Sequence, residues 1–419
     1  MGDKERTIFH IDVNSAFLSF EAVYRLQHGA KVDLREVPSA VAGSQATRHG
    51  IILAKSIPTK RYGVKTGEAV WEARQKCPDL ILVPPNYALY MCCHSALLDL
   101  VRTYSDRVQV FSIDECFLDM TGMELTGGPL AVANELRERI KRELGFTVSI
   151  GISTNKLLAK MASELKKPDA VSTLYPHEIE EKLWPLPVEE MYMVGRATAP
   201  KLHRLGIYTI GDLARFDPDL LKHTFKSWGV LLWNYANGIE DSGISPSGRT
   251  VIKGIGNSTT IHFDVDDRVT AHHVLLSLVE TVAMRLRHSG FCCSVIAVSI
   301  RRAEDLGYYS HQMTLQTPTD CTNAIYECCK RLFDQAWKGE PIRHLGVRVS
   351  GLSPADHVQL SMFEKDWESQ RRIDRAIDSI RTRFGPRAVI RSNFLWSRLA
   401  PLEGGLSEDA SFPVMTSIL

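Results

Sequence analysis

Two short acidic segments stand about a hundred residues apart in this chain. The first is Phe9-His10-Ile11-Asp12-Val13-Asn14-Ser15-Ala16-Phe17, and the second is Phe111-Ser112-Ile113-Asp114-Glu115-Cys116-Phe117-Leu118-Asp119. Each sets carboxylates among apolar residues of strand character. Buried strand ends do not keep carboxylates unless something neutralises them. Three carboxylates converging from two strands (Asp12, Asp114 and Glu115) offer hard oxygen ligands to divalent cations and favour Mg²⁺. One ion would lower the pKa of an attacking hydroxyl and a second would stabilise a leaving phosphate, which is the chemistry of phosphoryl or nucleotidyl transfer. Asp-Glu at a turn is also ordinary turn chemistry. The first motif, and the order of the two along the chain, favour the metal reading.

Those residues need particular elements to hold them. Residues 7–14 read as a strand, and Phe17, Phe20, Glu21 and Tyr24 set a helical period from Ser15, near the N-cap, to about Gln27. Short strands are expected at 40–42 and 51–54, and helices at 68–77 and 86–104. Residues 107–113 and 116–120 form a hairpin with Asp114-Glu115 at its turn. A helix at 128–144, a strand at 146–152 and a helix at 155–166 follow. This order implies an antiparallel α+β sheet with helices on one face. Residues 176–240 lack strand signals and read as helical. Asp241 to Arg249 has linker composition. A second α+β unit has strands near 251–261, 293–302, 309–316 and 343–350 and helices near 270–289 and 320–337.

At 419 residues the chain is too long for one ordinary core, so several domains are expected. Composition is globular, and the net charge of +1 excludes a uniformly basic chain. Any nucleic-acid contact must come from local patches. Nine cysteines include three adjacent pairs but no Cys-x-x-Cys. Neither a zinc site nor a disulfide framework is indicated, and the thiols fit a reducing cytoplasm. The N-terminus lacks the apolar run of a signal peptide, and no stretch is long and apolar enough to span a membrane.

Three segments carry a family resemblance: Ile11 to Phe17, Ser112 to Asp119, and the long run from Val148 to Asp169, VSIGISTNKLLAKMASELKKPD. Through them the chain resembles the Y-family DNA polymerases of the bacterial DNA polymerase IV type, over roughly residues 7–355. The resemblance implies an α+β multidomain, right-hand fold. Its parts would be a ferredoxin-like antiparallel palm (1–15 and 87–175), small fingers (16–86), a helical thumb (176–240), a linker (241–250), an α+β little finger (251–355) and a C-terminal tail (356–419).

By the same resemblance, Asp12, Asp114 and Glu115 are the catalytic and metal carboxylates for two Mg²⁺, and Val13 lends a backbone carbonyl. Asp119 is structural. Asn14 stands where many relatives have a second Asp. Phe17 matches the steric gate, whose ring leaves no room for a 2′-hydroxyl. Ala16, beside it in the nucleotide pocket, is smaller than the usual aromatic. The N–H groups at the helix start, Ser15 to Phe17, suit the triphosphate. Lys167 and Lys60 are its side-chain contacts. Lys60 replaces the usual Arg and loses the bidentate fork, and Ile57 replaces the usual Tyr.

The segment from Met191 to Leu202 resembles a helix–hairpin–helix, whose turn at Val194, Gly195 and Arg196 would meet DNA phosphates. Arg301, Arg302 and Arg343 are candidate template contacts. With eleven Lys and Arg against ten Asp and Glu over 251–353, the grip on DNA should be weak and processivity low. In the tail, Gln359-Leu360-Ser361-Met362-Phe363 resembles the peptide that binds the bacterial sliding clamp. Behind it, Ile373, Ala376, Ile377, Ile380 and Phe384 mark one face of a helix. The eight Arg between 371 and 398 read as a solvated charged face in preference to a second DNA contact.

The expected protein is a monomeric, cytoplasmic translesion polymerase without proofreading. Its partners would be primer–template DNA, dNTP and the clamp. A catalytically dead clamp-recruited relative and a palm-fold nucleotidyl cyclase are the alternatives.

Overall fold

The computed structural model describes residues 6–44, 48, 50–123, 126–245, 252–356, 367–395 and 399. The segment 359–363 lies outside the described residues. The chain forms two compact units, one built from residues 6–43 and 51–245 and the other essentially from 252 onward.

The first unit opens with β1 (Ile8–Val13), every residue of which is buried, and α1 (Ala16–Gln27). Next come β2 (Ser39–Ala42), β3 (Ile52–Lys55), the single turn α2 (Ile57–Lys60), α3 (Val70–Lys76), β4 (Ile81–Val83) and α4 (Tyr87–Arg102). Then follow β5 (Val108–Val110), β6 (Glu115–Asp119), α5 (Pro129–Leu144), β7 (Val148–Ser153), α6 (Lys156–Leu165) and β8 (Val171–Thr173). β1 is the centre of a five-stranded sheet ordered β5-β6-β1-β7-β8. It runs antiparallel to β6 and β7, with Asp12 opposite Glu115 on one side and Ser149 on the other. The sheet is thus antiparallel as expected through four strands. The three-residue β8, too short to read from sequence, adds a parallel edge to β7.

Helices cover both faces of this sheet, not one. Phe9, Ile11 and Val13 enter a core with Phe20, Tyr90, Leu97, Val101, Leu136 and Ile140, from α1, α4 and α5. On the other face Ile8, Phe117 and Phe111 meet Ala159 of α6. Gly151 makes that second layer possible. A Cβ there would collide with the Ala159 carbonyl and the Ser163 amide, so only glycine lets α6 lie against β7. Asn155 caps α6 by accepting from Leu158 N at 2.8 Å.

A smaller sheet, ordered β3-β2-β4, packs Leu18 and Ala22 of α1 against Val41, Ala54 and Val83. Its other face buries Ala40, Ala42 and Ile52 under Val70 and Ala73 of α3. The helical segment carries α7 (Ala199–His203), α8 (Ile210–Arg215), α9 (Pro218–Phe225) and α10 (Ser227–Ala236). Leu183, Val188, Leu202, Leu213 and Leu232 form its core together with Leu157, Leu158 and Met161 of α6. Thr209 and Asp212 close a reciprocal capping box on α8.

The second unit follows the expected order: β9 (Gly254–Val265), α11 (Arg268–His288), β10 (Phe291–Arg302), β11 (Tyr308–Thr319), α12 (Thr322–Ala336) and β12 (Ile342–Pro354). Its sheet is ordered β11-β10-β12-β9 and is antiparallel throughout. The tail helix α13 (Trp367–Phe384) corrects the reading of a solvated Arg face in part: Arg372, Arg375, Arg383 and Arg387 are exposed, but three other arginines are docked. Arg381 and Arg391 both reach buried Glu280 of α11, at 3.1 and 3.0 Å. Arg371 pairs with Asp320 at 2.8 Å. In return, Arg287 of α11 takes Asp378 at 2.6 Å and Asp374 at 3.3 Å. Three of the tail arginines therefore dock the tail onto its own unit. Arg302 is likewise occupied, by Asp305.

Candidate active site

The site grows from the C-terminal end of β1. Asp12 is its penultimate residue, and the chain turns at Ser15, with φ of 50°, directly into α1. No side chain caps α1, so its first N–H groups lack a capping partner, and its first residues Ala16 and Phe17 line the cleft. Val13 N donates to Asp114 O at 3.0 Å, which ties the 112–114 turn to the end of β1. His94 of α4 holds the same turn through Ile113 O at 2.8 Å. Asp12, Val13, Ser15, Ala16, Phe17 and Asp114 line one cleft of about 280 Å³, closed on the β3 side by Leu53, Ala54, Lys55, Lys60 and Thr66.

The three carboxylates have different surroundings. Burial pushes Asp12 up to about 7, and Lys167 at 3.0 Å pulls against it. Burial also raises Asp114, whose counterweight is a hydrogen bond from Ser112 Oγ. Burial opposes the charge on Glu115 too, but His10 at 3.2 Å and Lys160 at 2.5 Å outweigh it and hold Glu115 far below the usual range. Burial pushes the His10 imidazole down to about 4, so His10 meets Glu115 as a neutral hydrogen-bond partner. Its other nitrogen lies 2.8 Å from Ser163 Oγ.

Asp12 and Asp114 thus share the cleft. Glu115 begins β6 instead of lying in the hairpin turn, and it turns toward α6. Among the described residues no three His, Cys, Asp or Glu side chains gather tightly enough to hold an ion unaided. That donor set still suits Mg²⁺, which keeps its waters and is taken up through one or two carboxylates plus substrate phosphate.

Phe17 stacks on Tyr90, with centroids 4.5 Å apart and planes at 10°, and Tyr87 meets it edge-on at 6.2 Å. The gate candidate is therefore held from behind by α4. Ala16 is buried beside it. Asn14 is the residue that departs from the commoner Asp. Its Oδ1 accepts from Asp169 N at 2.8 Å, and its Nδ2 donates to Ser149 Oγ at 2.9 Å. Arg137 and Lys141 clamp Asp169 from outside, and the turn so held presents Lys167 to Asp12. Asp119 pairs with Arg107, in line with a structural role. Ile57 is exposed and contributes nothing to the cleft lining.

The hairpin candidate needs a correction at Val194. Its side chain is buried and its N–H donates to Met191 O at 2.9 Å, so neither is presented outward. Gly195 and Arg196 form the exposed tip. The left-handed residue of the turn is Met193, with φ of 76°.

Sequence reasoning missed Lys160, His10, Tyr90 and Lys55.

The impB/mucB/samB family model matches residues 11–164, its C-terminal domain matches 252–362, and the family's HHH motif matches 176–207. DNA polymerase IV of Clostridium acetobutylicum is 46% identical over 395 residues, covering 93% of this chain and 98% of that protein. DNA polymerase IV 2 of Bacillus subtilis is 36% identical, covering 93% and 94%. A solved Y-family DNA polymerase chimera superposes with a TM-score of 0.69 at 21% identity, over 83% of this chain and 99% of that one, a likeness of fold. With a polymerase fold, a carboxylate cleft at the end of β1 and these relatives along nearly its whole length, the chain belongs to the Y-family DNA polymerases, in their bacterial DNA polymerase IV branch.

Proposed function

We infer that this chain is a template-directed DNA polymerase of the translesion class whose chemistry occurs in the cleft at the end of β1. The primer 3′-hydroxyl attacks the α-phosphate of a bound dNTP and pyrophosphate leaves. The observation that carries this is the meeting of Asp12, Asp114, the open N-terminus of α1 and Phe17 in one cleft. Membership of the family brings a divalent-metal requirement and primer–template DNA and dNTP as substrates. We assign the metal as Mg²⁺, two per site, with Asp12, Asp114, Glu115 and the Val13 carbonyl as its protein ligands. Bound there, it would lower the hydroxyl pKa and screen the phosphate charge. The protein's own part is orientation. The α1 N–H groups, Lys60 and Lys167 hold the triphosphate, and Phe17 excludes a 2′-hydroxyl from the space beside Ala16.

We assign the domains as palm 1–15 and 87–175, fingers 16–86, thumb 176–240, linker 241–250, little finger 251–355 and tail 356–419. Gly195 and Arg196 are the thumb's phosphate contacts. Residues 359–363 are the sliding-clamp peptide, supported by their sequence alone. A monomeric enzyme acting in the cytoplasm fits nine free cysteines, and no described helix is long and apolar enough to cross a membrane.

Primer extension with single dNTPs and Mg²⁺ tests the reading. The wild type should extend, and Asp114→Asn should bind primer–template without extending it. An inactive wild type would sink the polymerase reading, and an active Asp114→Asn would sink the carboxylate assignment. Alanines at Leu360, Met362 and Phe363 should leave basal extension intact and abolish stimulation by the clamp; surviving stimulation would place the tether elsewhere.

A further inference from the structure

The cleft holds one cation that the reading above does not use. Along β3, Ile52 and Ala54 enter the core while Leu53 and Lys55 stay partly open. Lys55 thereby lines the cleft together with Asp12, Asp114, Phe17 and Lys60. Its Nζ donates to Thr66 Oγ1 at 3.1 Å, which steers the ammonium without neutralising it.

Lysines elsewhere around the carboxylates are paired. Lys160 takes Glu115, and Lys167 takes Asp12 and Glu164. Among the described residues, Lys55 and Lys60 have no carboxylate within ion-pair distance. Glu68, the acid whose field reaches Lys55, is itself held by Lys76 at 2.6 Å. Burial, and after it the charge of Lys60, lowers the Lys55 pKa, so a half-buried ammonium has the like charge of the exposed Lys60 beside it.

The positions of both lysines are firmly set. Lys55 ends a paired strand. Lys60 ends α2, whose start is pinned by Ser56 and Thr59: Ser56 Oγ donates to Val37 O at 2.8 Å, and Thr59 Oγ1 accepts from Ser39 N at 2.8 Å. Crowding two unpaired ammoniums on rigid elements costs stability unless an anion shares them. The anion that fits must also be taken up beside carboxylates and metal, and must carry several negative charges.

We propose that Lys55 binds the triphosphate of the incoming nucleotide, as the second member of a lysine pair with Lys60. The pair supplies two point charges where a single Arg fork would supply one. This rests on the nucleotidyl-transfer reading above.

The test measures dNTP binding to enzyme on a dideoxy-terminated primer–template, so that no chemistry follows. Lys55→Ala should raise the dNTP Kd by about tenfold or more, equally for all four bases. Inorganic triphosphate, used as a competitor, should weaken by the same factor, while primer–template affinity stays unchanged. Lys55→Arg should recover most of the loss. Lys55→Met, which keeps the apolar stem, should behave like Lys55→Ala at unchanged melting temperature. An unchanged dNTP Kd in both neutral variants overturns the proposal. So does a loss that spares inorganic triphosphate, since the contact would then be to base or sugar. If the wild type extends primers, Asp114→Asn does not, and Lys55→Ala binds dNTP normally, this inference alone fails and the parent reading stands.

Discussion

Asn14 offers the sharpest test of how the site is held together. Its amide spends both ends: one oxygen on Asp169 N at 2.8 Å, one nitrogen on Ser149 Oγ at 2.9 Å. Asn14→Ala removes two hydrogen bonds, each worth about 1 kcal/mol net. It also strands a backbone N–H and a fully buried hydroxyl, and an unsatisfied group costs about 1–3 kcal/mol. With about 1 kcal/mol for the bond to the half-exposed Asp169 N–H and about 1–3 kcal/mol for the stranded Ser149 hydroxyl, the expected loss is about 2–4 kcal/mol, concentrated at the 167–169 turn. Lys167 lies two residues before Asp169, so loosening the turn displaces it from Asp12 and raises the KM for dNTP. Asn14→Asp should recover most of the stability, because Ser149 can rotate its hydroxyl to donate to the second carboxylate oxygen. The assays are amide exchange at Asp169, urea unfolding at constant m, and KM against kcat. Undiminished protection of the Asp169 amide in Asn14→Ala, or an Asn14→Asp variant as damaged as the alanine, would refute the reasoning.

Three further outcomes follow from the same structure. Phe17→Ala should raise ribonucleotide over deoxynucleotide insertion by about tenfold or more, since one steric increment in a pocket is worth about 1–3 kcal/mol; an unchanged insertion ratio removes the gate. Arg287→Met leaves Asp374 and Asp378 buried without their cation and should cost about 3–5 kcal/mol. Faster proteolysis within α13 would show this, with primer extension retained. Burial opposes ionisation of Asp169, but Lys141 and Arg137 outweigh it and hold the carboxyl below its ordinary value of 3.8. A depressed folded pKa gives stability that is present above that ordinary value and lost as pH falls through the folded one. The stability gap between wild type and Asp169→Asn should therefore be full at pH 6 and shrink below about pH 4; a gap that widens on acidification contradicts the assignment.

Much of the fold was legible because its signals are local. The strand character of residues 7–14, the glycine that stops the helix at Leu144 and the break before Pro168 each lie within a few residues. What escaped is non-local. β4 and β8 are three residues each and become strands only through β2 and β7. The α6 layer depends on Gly151, whose meaning appears only when a helix lies on it. The docked tail arginines looked solvated because their partners Glu280 and Asp320 are 51 to 111 residues away in sequence. Val194 was taken for a contact because a hairpin motif does not say which of its residues turns inward. At the site the pattern is the same. The carboxylates were visible as charges in apolar strands, whereas Lys160, His10 and Tyr90 act across elements and announce nothing by spacing.

The surroundings of the three carboxylates also separate what the sequence presents as one trio. Glu115 already has a lysine and a histidine, and its charge is spent on binding α6 to β6 and β1. Asp114 has a neutral hydroxyl and little else, and burial raises it. Asp12 has Lys167, but on a side chain that also leans on Glu164 and sits at the end of a turn. Charge that is already matched by rigid neighbours gains little from a cation, while buried charge that is not matched gains most. The demand for a cation therefore falls mainly on Asp12 and Asp114, the two that line the cleft. Glu115, besides the ligand role proposed for it, is paired across the strand rung on which Asp12 stands. The three acids are thus unequal members of one site, and the inequality is set by α6, a helix that the acidic motifs themselves do not contain.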